Sequence, residues 1–186
     1  MVAPGRYSPA AARGTDSALR VGWPCGLCET CGMSTKPPVS VSIDINAPAD
    51  KVWAMVTDLP RMGEWSPENL GGVWADGANA AAVGAVFNGK NRNGKRTWST
   101  SVKVNVCDAP RNFSFGLMLL GKNWCDWVYE IEPTAGGCRV THSWIDHRTA
   151  FAGTVGKWAS GVADRATHNK ANMEVTLANL KKAAEQ

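Results

Sequence analysis

The chain carries little net charge and no long apolar run, and each absence excludes a class of protein. Its formal net charge is +4 over 186 residues, whereas a nucleic-acid-binding domain concentrates Lys and Arg on one face or along one helix. The tight basic group at residues 90–96 surrounds an Asn93-Gly94 turn, which is typical of a solvated hairpin tip. No stretch approaches the ~20 apolar residues of a membrane-spanning helix. We therefore expect neither a nucleic-acid partner nor a transmembrane segment.

The start of the chain lacks the pattern of a secretory signal peptide, because no uninterrupted apolar run follows a charged start. Residues 2–20 are rich in Ala, Arg, Pro and Ser, as transit peptides are, but Asp16 and two prolines disfavour that interpretation. We therefore expect a cytoplasmic protein.

The cysteines lack the spacing of a complete metal site. The run CGLCETC holds Cys25, Cys28 and Cys31, and closely spaced thiolates of this kind chelate zinc or iron. A structural zinc site needs four protein ligands, and no fourth Cys or His lies nearby. We expect no metal and no cofactor, and the three later cysteines buried as free thiols, although a metal or redox role for the run stays open.

Residues 1–32 carry no apolar periodicity, whereas Met33 begins a stretch that leads directly into the first strand. We therefore interpret residues 1–38 as a disordered or non-native N-terminal extension. Residues 39–186 are expected to form one ligand-binding domain.

The pattern after residue 38 predicts a strand, two short helices and more strands. Residues from Val39 to Ile45 alternate apolar and polar, which is typical of an antiparallel strand. The segment Asn46-Ala47-Pro48 starts a short amphipathic helix, followed by a loop or second short helix near residue 64. From Gly71 to Ile145, alternation and turn signals such as Asn93-Gly94 predict consecutive hairpins. This order indicates an α+β domain.

The C-terminal segment predicts a long helix that covers the sheet. Apolar residues from Phe151 to Leu180 recur at steps of three, four or seven. Gly153, Gly156 and Gly161 are expected to loosen or break the first half, so the secure helix runs from about Val162 onward.

Tryptophan is the residue type in excess, with nine Trp against two Tyr and four Phe. Such rings supply rigid, amphipathic contact area, which suits a core or a ligand cavity. In the strand from Arg96 to Val106, alternation places Trp98, Val104 and Val106 on one face. We expect a Trp-lined pocket for an apolar small molecule between the sheet and the C-terminal helix.

Four segments resemble the polyketide cyclase/dehydrase and lipid-transport proteins of the START-like (SRPBCC) helix-grip superfamily. They are IDINAPADKVW from Ile43, the loop Trp65-Ser66-Pro67-Glu68, the strand WVYEIEP from Trp127 and the helix NMEVTLANLK from Asn172. The resemblance covers about residues 39–185. It implies a curved seven-stranded antiparallel sheet around a long C-terminal helix, with a cavity between them and two short helices after the first strand.

The family includes carriers, cyclases and iron-dependent oxygenase domains, so fold does not select a function. An oxygenase needs a two-His-one-carboxylate triad for iron. The only histidines, His142, His147 and His168, show no such spacing, and the last two are expected near the surface.

His142 and Tyr129 are the candidates for acid/base chemistry. His142 shares a strand face with Val140 and Trp144 and should point inward, and Tyr129 lies on the adjacent strand. A cyclase needs a group that moves protons and a donor for the developing enolate. The alternative is that both residues are ordinary hydrogen-bonded members of the core. Asp146 continues the His142 face at the end of the strand, where we expect a solvated carboxylate at the cavity mouth.

The other candidates are expected to contact the ligand. They are Trp65, Trp98, Phe115, Trp127, Trp144, Asn169, Met173 and Leu177. Trp65 either closes the entrance from its loop or anchors that loop to the core. Asn169 interrupts the apolar line of the helix, and an unsatisfied buried amide costs about 1–3 kcal/mol. Its partner is therefore either the ligand or a strand residue such as Thr141 or Ser143.

Two functions follow. The first is a binder or carrier of a lipid, polyketide or other apolar metabolite, as a monomer or homodimer. The alternative is a metal-free cyclase or dehydratase that uses His142 and Tyr129. No nucleophile–base pair is visible, which favours binding, and an accessory role through a partner protein stays open.

Overall fold

The computed structural model describes residues 36–186, apart from five side chains at positions 150–152, 155 and 159. The Cys25, Cys28 and Cys31 run lies outside the described residues, as does most of the N-terminal extension. The metal or redox role of the cysteine run and the disordered or non-native state of the N-terminal extension therefore stay predictions. The described part contains seven β-strands, three α-helices and one 3₁₀ helix.

All seven strands form one antiparallel sheet in the order β1-β7-β6-β5-β4-β3-β2. The strands are β1 (Val39–Ile45), β2 (Asn69–Trp74), β3 (Val86–Asn93), β4 (Arg96–Asp108), β5 (Asn112–Leu119), β6 (Lys122–Thr134) and β7 (Gly137–Asp146). Strands β2 to β7 follow one another as neighbours, and β1 pairs with β7 so that Val41 lies opposite His142. The predicted curved seven-stranded antiparallel sheet is confirmed.

Two short helices lie between β1 and β2 in the sequence, and two further helices follow β7. They are α1 (Ala49–Thr57), a 3₁₀ helix (Leu59–Glu64), α2 (Ala150–Ser160) and α3 (Arg165–Ala184). Helix α1 follows Pro48, whose φ of −56° suits a helix start, and Asp50 in its first turn complements the helix dipole. Val52 and Val56 are buried on its inner face. The two short helices expected after the first strand are therefore present.

The C-terminal helical segment is broken at Gly161, whose φ of +74° disfavours any residue with a Cβ atom. Gly153 and Gly156 lie within α2 and do not interrupt it, so the predicted break is right for Gly161 alone. Helix α3 begins three residues later than expected. The carboxylate of Asp164 caps it by accepting a hydrogen bond from the backbone N–H of Thr167 at 3.1 Å.

Helix α3 packs mainly against β1, and also contacts β7 and α1. The buried residues of α3 belong to two different hydrophobic clusters. Leu177 and Leu180 belong to the main core with Val52 and Val56, whereas Met173, nearer the start of α3, packs with Trp144 and Cys125 in a smaller cluster.

A β-bulge between Val104 and Val106 changes the face that β4 presents to the core. Val104 is buried opposite Phe115, but Val106 is 37% exposed, and Cys107 packs against the core instead. The prediction that Val106 shares the face of Val104 and Trp98 is wrong, because the bulge interrupts the period-two alternation.

The three later cysteines are free, with Cys125 and Cys138 buried and Cys107 partly buried. Burial raises the pKa of the Cys125 thiol to about 11, so this group is an inert packing residue at neutral pH. Within residues 36–186, no helix is long and apolar enough to span a membrane. In the same part of the chain, no three His, Cys, Asp or Glu side chains are grouped to hold a metal ion.

Candidate ligand-binding cavity

A cavity of about 410 Å³ lies against the sheet and the first half of α3. Residues of β2 to β7, the 3₁₀ helix and the loop after it, α2 and α3 form its wall. The aromatic members of this wall are Phe87, Trp98, Phe115, Trp124, Trp127, Tyr129 and Trp144. The volume lies within the range of small-molecule sites in proteins. The surface of the wall is mainly apolar, although Ser, Thr, Asn, Arg, Glu and His side chains also line it.

Eight of the ten predicted site residues line this cavity. They are Trp98, Phe115, Trp127, Tyr129, His142, Trp144, Asn169 and Met173. Alternation on β6 and β7 turns every second side chain toward the same face, and the two strands are in direct register, with Tyr129 opposite His142. Their contact with a ligand stays a prediction.

Trp65 and Leu177 do not line the cavity. The predicted position of Leu177 in its wall is wrong, and for Trp65 the structure agrees with the alternative of a loop anchor. Trp65 is 2% exposed, and its indole N–H donates to the Met62 sulfur at 3.0 Å. Its carbonyl oxygen accepts a hydrogen bond from Asn179 at 3.0 Å. The indole therefore anchors its loop in the core, where it cannot close an entrance. Leu177 lies one turn after Met173, beyond the part of α3 that faces the cavity.

His142 is 4% exposed and lies flat on the Tyr129 ring, with 4.0 Å between ring centroids. Trp127 packs on it at a tilt, with 5.5 Å between centroids. Neither ring nitrogen of His142 has a hydrogen-bond partner among the described residues. Burial lowers the pKa of His142 to about 3, so at neutral pH it is an uncharged imidazole with one donor and one acceptor.

Tyr129 is equally enclosed, at 2% exposure, and its hydroxyl contacts the Met62 sulfur at 3.9 Å. Burial raises its pKa. A general acid or base works best when its pKa lies near the operating pH. The shifts of His142 and Tyr129 run in opposite directions away from neutrality, so the pair is poorly placed for proton transfer.

Asn169 is 2% exposed and lines the cavity. The strand partners predicted for it are wrong, because Thr141 and Ser143 lie on the other face of β7. Their hydroxyls pair across to β1, Thr141 with Ser42 at 2.9 Å and Ser143 with Ser40 at 2.8 Å. The carbonyl oxygen of Asn169 instead accepts a long hydrogen bond of 3.5 Å from Arg165. Its amide is therefore a buried polar group of the wall with one weak partner.

An ionic group missed by the sequence analysis lies at the Trp98 side of the cavity. The Arg165 guanidinium donates to both oxygens of Glu68, at 3.1 and 3.2 Å, and lies over the Trp98 ring, 5.9 Å from its centroid. His168 contacts the same carboxylate at 2.7 Å. The only signal for this group was the Trp65-Ser66-Pro67-Glu68 loop of the family resemblance, because its members are far apart in sequence.

A second arginine lines the wall beside Trp144. Arg148 lies over that ring at 5.3 Å and donates to Asp146 at 2.7 Å. Lys36 contacts the same carboxylate at 2.8 Å. Burial raises the pKa of Asp146, but the hydrogen bonds from Arg148 and Lys36 outweigh it and hold that pKa at about 2. Asp146 is 7% exposed and does not line the cavity, so the expectation of a solvated carboxylate at its mouth is wrong.

The model of the family described as polyketide cyclase / dehydrase and lipid transport matches residues 36–185. None of the curated proteins matches.

Several solved structures are similar. A polyketide cyclase-like protein from Corynebacterium glutamicum is 28% identical, with a TM-score of 0.52 over 80% of this chain and 89% of that one. The Aha1 dimer from Colwellia psychrerythraea is 15% identical, with a TM-score of 0.58 over 81% and 97%. The di-domain ARO/CYC BexL from the BE-7585A biosynthetic pathway is 17% identical, with a TM-score of 0.58 over 80% and 50%. At 15% and 17% identity, the similarity to the last two structures shows only a shared fold.

Proposed function

Because this chain belongs to the polyketide cyclase/dehydrase and lipid transport family, we propose that it binds an apolar small molecule in the cavity between the sheet and α3. The observation that carries the proposal is the cavity itself, with a volume of about 410 Å³ and seven aromatic side chains in its wall. Removing apolar ligand surface from water supplies roughly 25 cal/mol per Å². Flat aromatic walls also favour rings or chains that stack against them.

The charges on the wall support an uncharged ligand. Arg165 and Arg148 are the two arginines that line the cavity, and each is already paired with a carboxylate, Glu68 and Asp146 respectively. An anionic ligand would have to compete with these ion pairs. A neutral ligand leaves them intact and gains the apolar contact.

A second function, cyclase or dehydratase, is favoured by one observation, since His142 and Tyr129 lie in contact on the cavity wall. Against it, burial lowers the pKa of the first and raises that of the second. Binding without turnover is therefore the better-supported proposal. We further propose a cytoplasmic monomer or homodimer, which cell fractionation and analytical ultracentrifugation test.

Binding is tested with N-phenyl-1-naphthylamine, a neutral dye that fluoresces in apolar sites. We expect saturable binding to the full chain, and its loss in Met173→Trp, which fills the cavity from α3. Val175→Trp is the matched control, because Val175 lies two residues away on the same helix and is 45% exposed. Equal dye affinity in the two variants, or no saturable binding to the native chain, would contradict the proposal.

Carrier and enzyme are separated by two further measurements. Native mass spectrometry of the protein from its own host should detect a bound apolar compound. If the protein only binds its ligand, poly-β-ketone substrates should show no turnover that depends on His142 or Tyr129. The substitutions His142→Gln and Tyr129→Phe should then change no rate. Turnover that either substitution removes, in a variant that keeps dye affinity, would establish the enzyme instead.

A further inference from the structure

One polar side chain of the cavity wall is fully buried and has no hydrogen-bond partner within the described residues. Both nitrogens of His142 are buried and unpartnered, although buried polar groups in proteins are nearly always hydrogen-bonded. Two aromatic side chains pack on its ring, Tyr129 with 4.0 Å and Trp127 with 5.5 Å between ring centroids. The strand neighbour on β1, opposite His142, is Val41, which offers no side-chain partner.

The missing partner therefore has to come from the contents of the cavity. We propose that the ligand of this cavity is a neutral, mainly apolar molecule with a hydroxyl group, a phenol or an alcohol, which forms a hydrogen bond with His142. This inference rests on the proposed binding function and narrows the class of ligand.

A hydroxyl suits this position better than other polar groups. A neutral imidazole has one N–H donor and one bare acceptor nitrogen. A hydroxyl can accept from the first or donate to the second, so it fits whichever nitrogen faces it, whereas a carbonyl oxygen fits only the N–H. A carboxylate is disfavoured because the arginines of the wall are already paired with Glu68 and Asp146.

The test compares 2-naphthol with 2-methylnaphthalene, in which a methyl group of similar size replaces the hydroxyl. Each displaces N-phenyl-1-naphthylamine from the full chain and from His142→Phe. For each protein, the dissociation constant of 2-methylnaphthalene is divided by that of 2-naphthol. Dividing the ratio of the native chain by the ratio of His142→Phe cancels the general difference in hydrophobicity between the two compounds. We expect the quotient to favour the naphthol by about five- to tenfold, the value of one buried hydrogen bond.

The control is Thr141→Val, which changes the neighbouring residue on the opposite face of β7 and should leave the ratio at its native value. A quotient near one overturns this inference but leaves the binding function standing. Failure of both compounds to displace a bound dye also overturns it. Failure of the dye itself to bind overturns the binding function.

A second measurement does not depend on the variant. In protein labelled with ¹⁵N-histidine, saturation with 2-naphthol should shift the side-chain nitrogen resonances of His142, and 2-methylnaphthalene should leave them in place. Equal shifts with both compounds would contradict the proposed hydrogen bond.

Discussion

The imidazole of His142 lies nearly parallel to the phenol ring of Tyr129, with 14° between the planes and 4.0 Å between the centroids. The two residues are directly opposite on β7 and β6. The Tyr129 hydroxyl contacts the Met62 sulfur, and the nitrogens of His142 have no hydrogen-bond partner in residues 36–186 as the structure describes them. They are therefore adjacent but are not joined by a hydrogen bond, so no proton can pass directly between them.

Replacing His142 by Phe should stabilise the ligand-free protein. The change keeps a ring in the stack on Tyr129 and removes two buried polar atoms that no described residue satisfies. We expect the free energy of unfolding in urea to rise by about 1–2 kcal/mol at pH 7. His168→Phe is the control with the opposite sign, because His168 contacts Glu68 at 2.7 Å. A loss of stability in His142→Phe would show that the imidazole has a partner in solution.

Lowering the pH should destabilise the native chain more than it destabilises the His142→Phe variant. The folded-state pKa of His142 is about 3, against an ordinary 6.5. The unfolded chain therefore takes up a proton below pH 6.5 that the folded chain does not, and stability is lost as the pH falls from 6.5 toward 3.

Between pH 7 and pH 5, this linkage should widen the stability difference between His142→Phe and the native chain by about 2 kcal/mol. Urea unfolding of both proteins at the two pH values checks it. Carboxylates such as Asp146 titrate in both proteins and cancel in the comparison. A difference that stays constant with pH would contradict the buried, neutral state of His142.

Local patterns in the sequence predicted the consecutive hairpins of the sheet, because period-two alternation and turn residues such as Asn93-Gly94 are short-range signals. The number of strands came from the family resemblance, and the pairing of β1 with β7 has no local signal. The bulge at Val106 was missed because a single extra residue in β4 leaves no signal in composition or spacing. It exchanges Val106 for Cys107 on the inner face, and this can be recognised only when the partner strand is known.

The site was predicted less completely, because a cavity depends on packing between distant segments. Met173 and Leu177 are both apolar and lie one turn apart, so helical periodicity cannot tell the cavity residue from the core residue. The pairing of Arg165 with Glu68 joins the start of α3 to a loop 97 residues earlier, and neither residue identifies the other in the sequence. Nor does the sequence show that the nitrogens of His142 lack a partner among the described residues, because that can be judged only when the positions of all its neighbours are known.

The ion pair between Glu68 and Arg165 should contribute to stability more than a surface pair does. Their side chains are 19% and 17% exposed, and the guanidinium contacts both carboxylate oxygens. A double-mutant cycle with Glu68→Gln and Arg165→Met should give a coupling of about 1–3 kcal/mol in urea unfolding.

The matched cycle uses Asp44 and Arg139, an ion pair across β1 and β7 whose side chains are 70% and 49% exposed. Water and salt screen such a pair, so its coupling should be clearly smaller and should disappear in 1 M salt, whereas the Glu68–Arg165 coupling should persist. Equal couplings in the two cycles would contradict the prediction that the partly buried Glu68–Arg165 pair stabilises the protein more than the exposed Asp44–Arg139 pair.

Gly72 should tolerate no side chain, because β2 approaches β3 too closely at this point. A Cβ atom there would overlap the carbonyl oxygen of Asn88 and lie 2.8 Å from the ring of Phe87, which lines the cavity. We expect Gly72→Ala to lower the free energy of unfolding by about 1–3 kcal/mol and to weaken dye binding as the Phe87 ring moves. At Gly136 a Cβ atom meets nothing within 4 Å, so Gly136→Ala should leave both quantities unchanged. If Gly72→Ala behaved like this control, β2 would have to be free to move away from β3, and the wall formed by Phe87 would not be rigid.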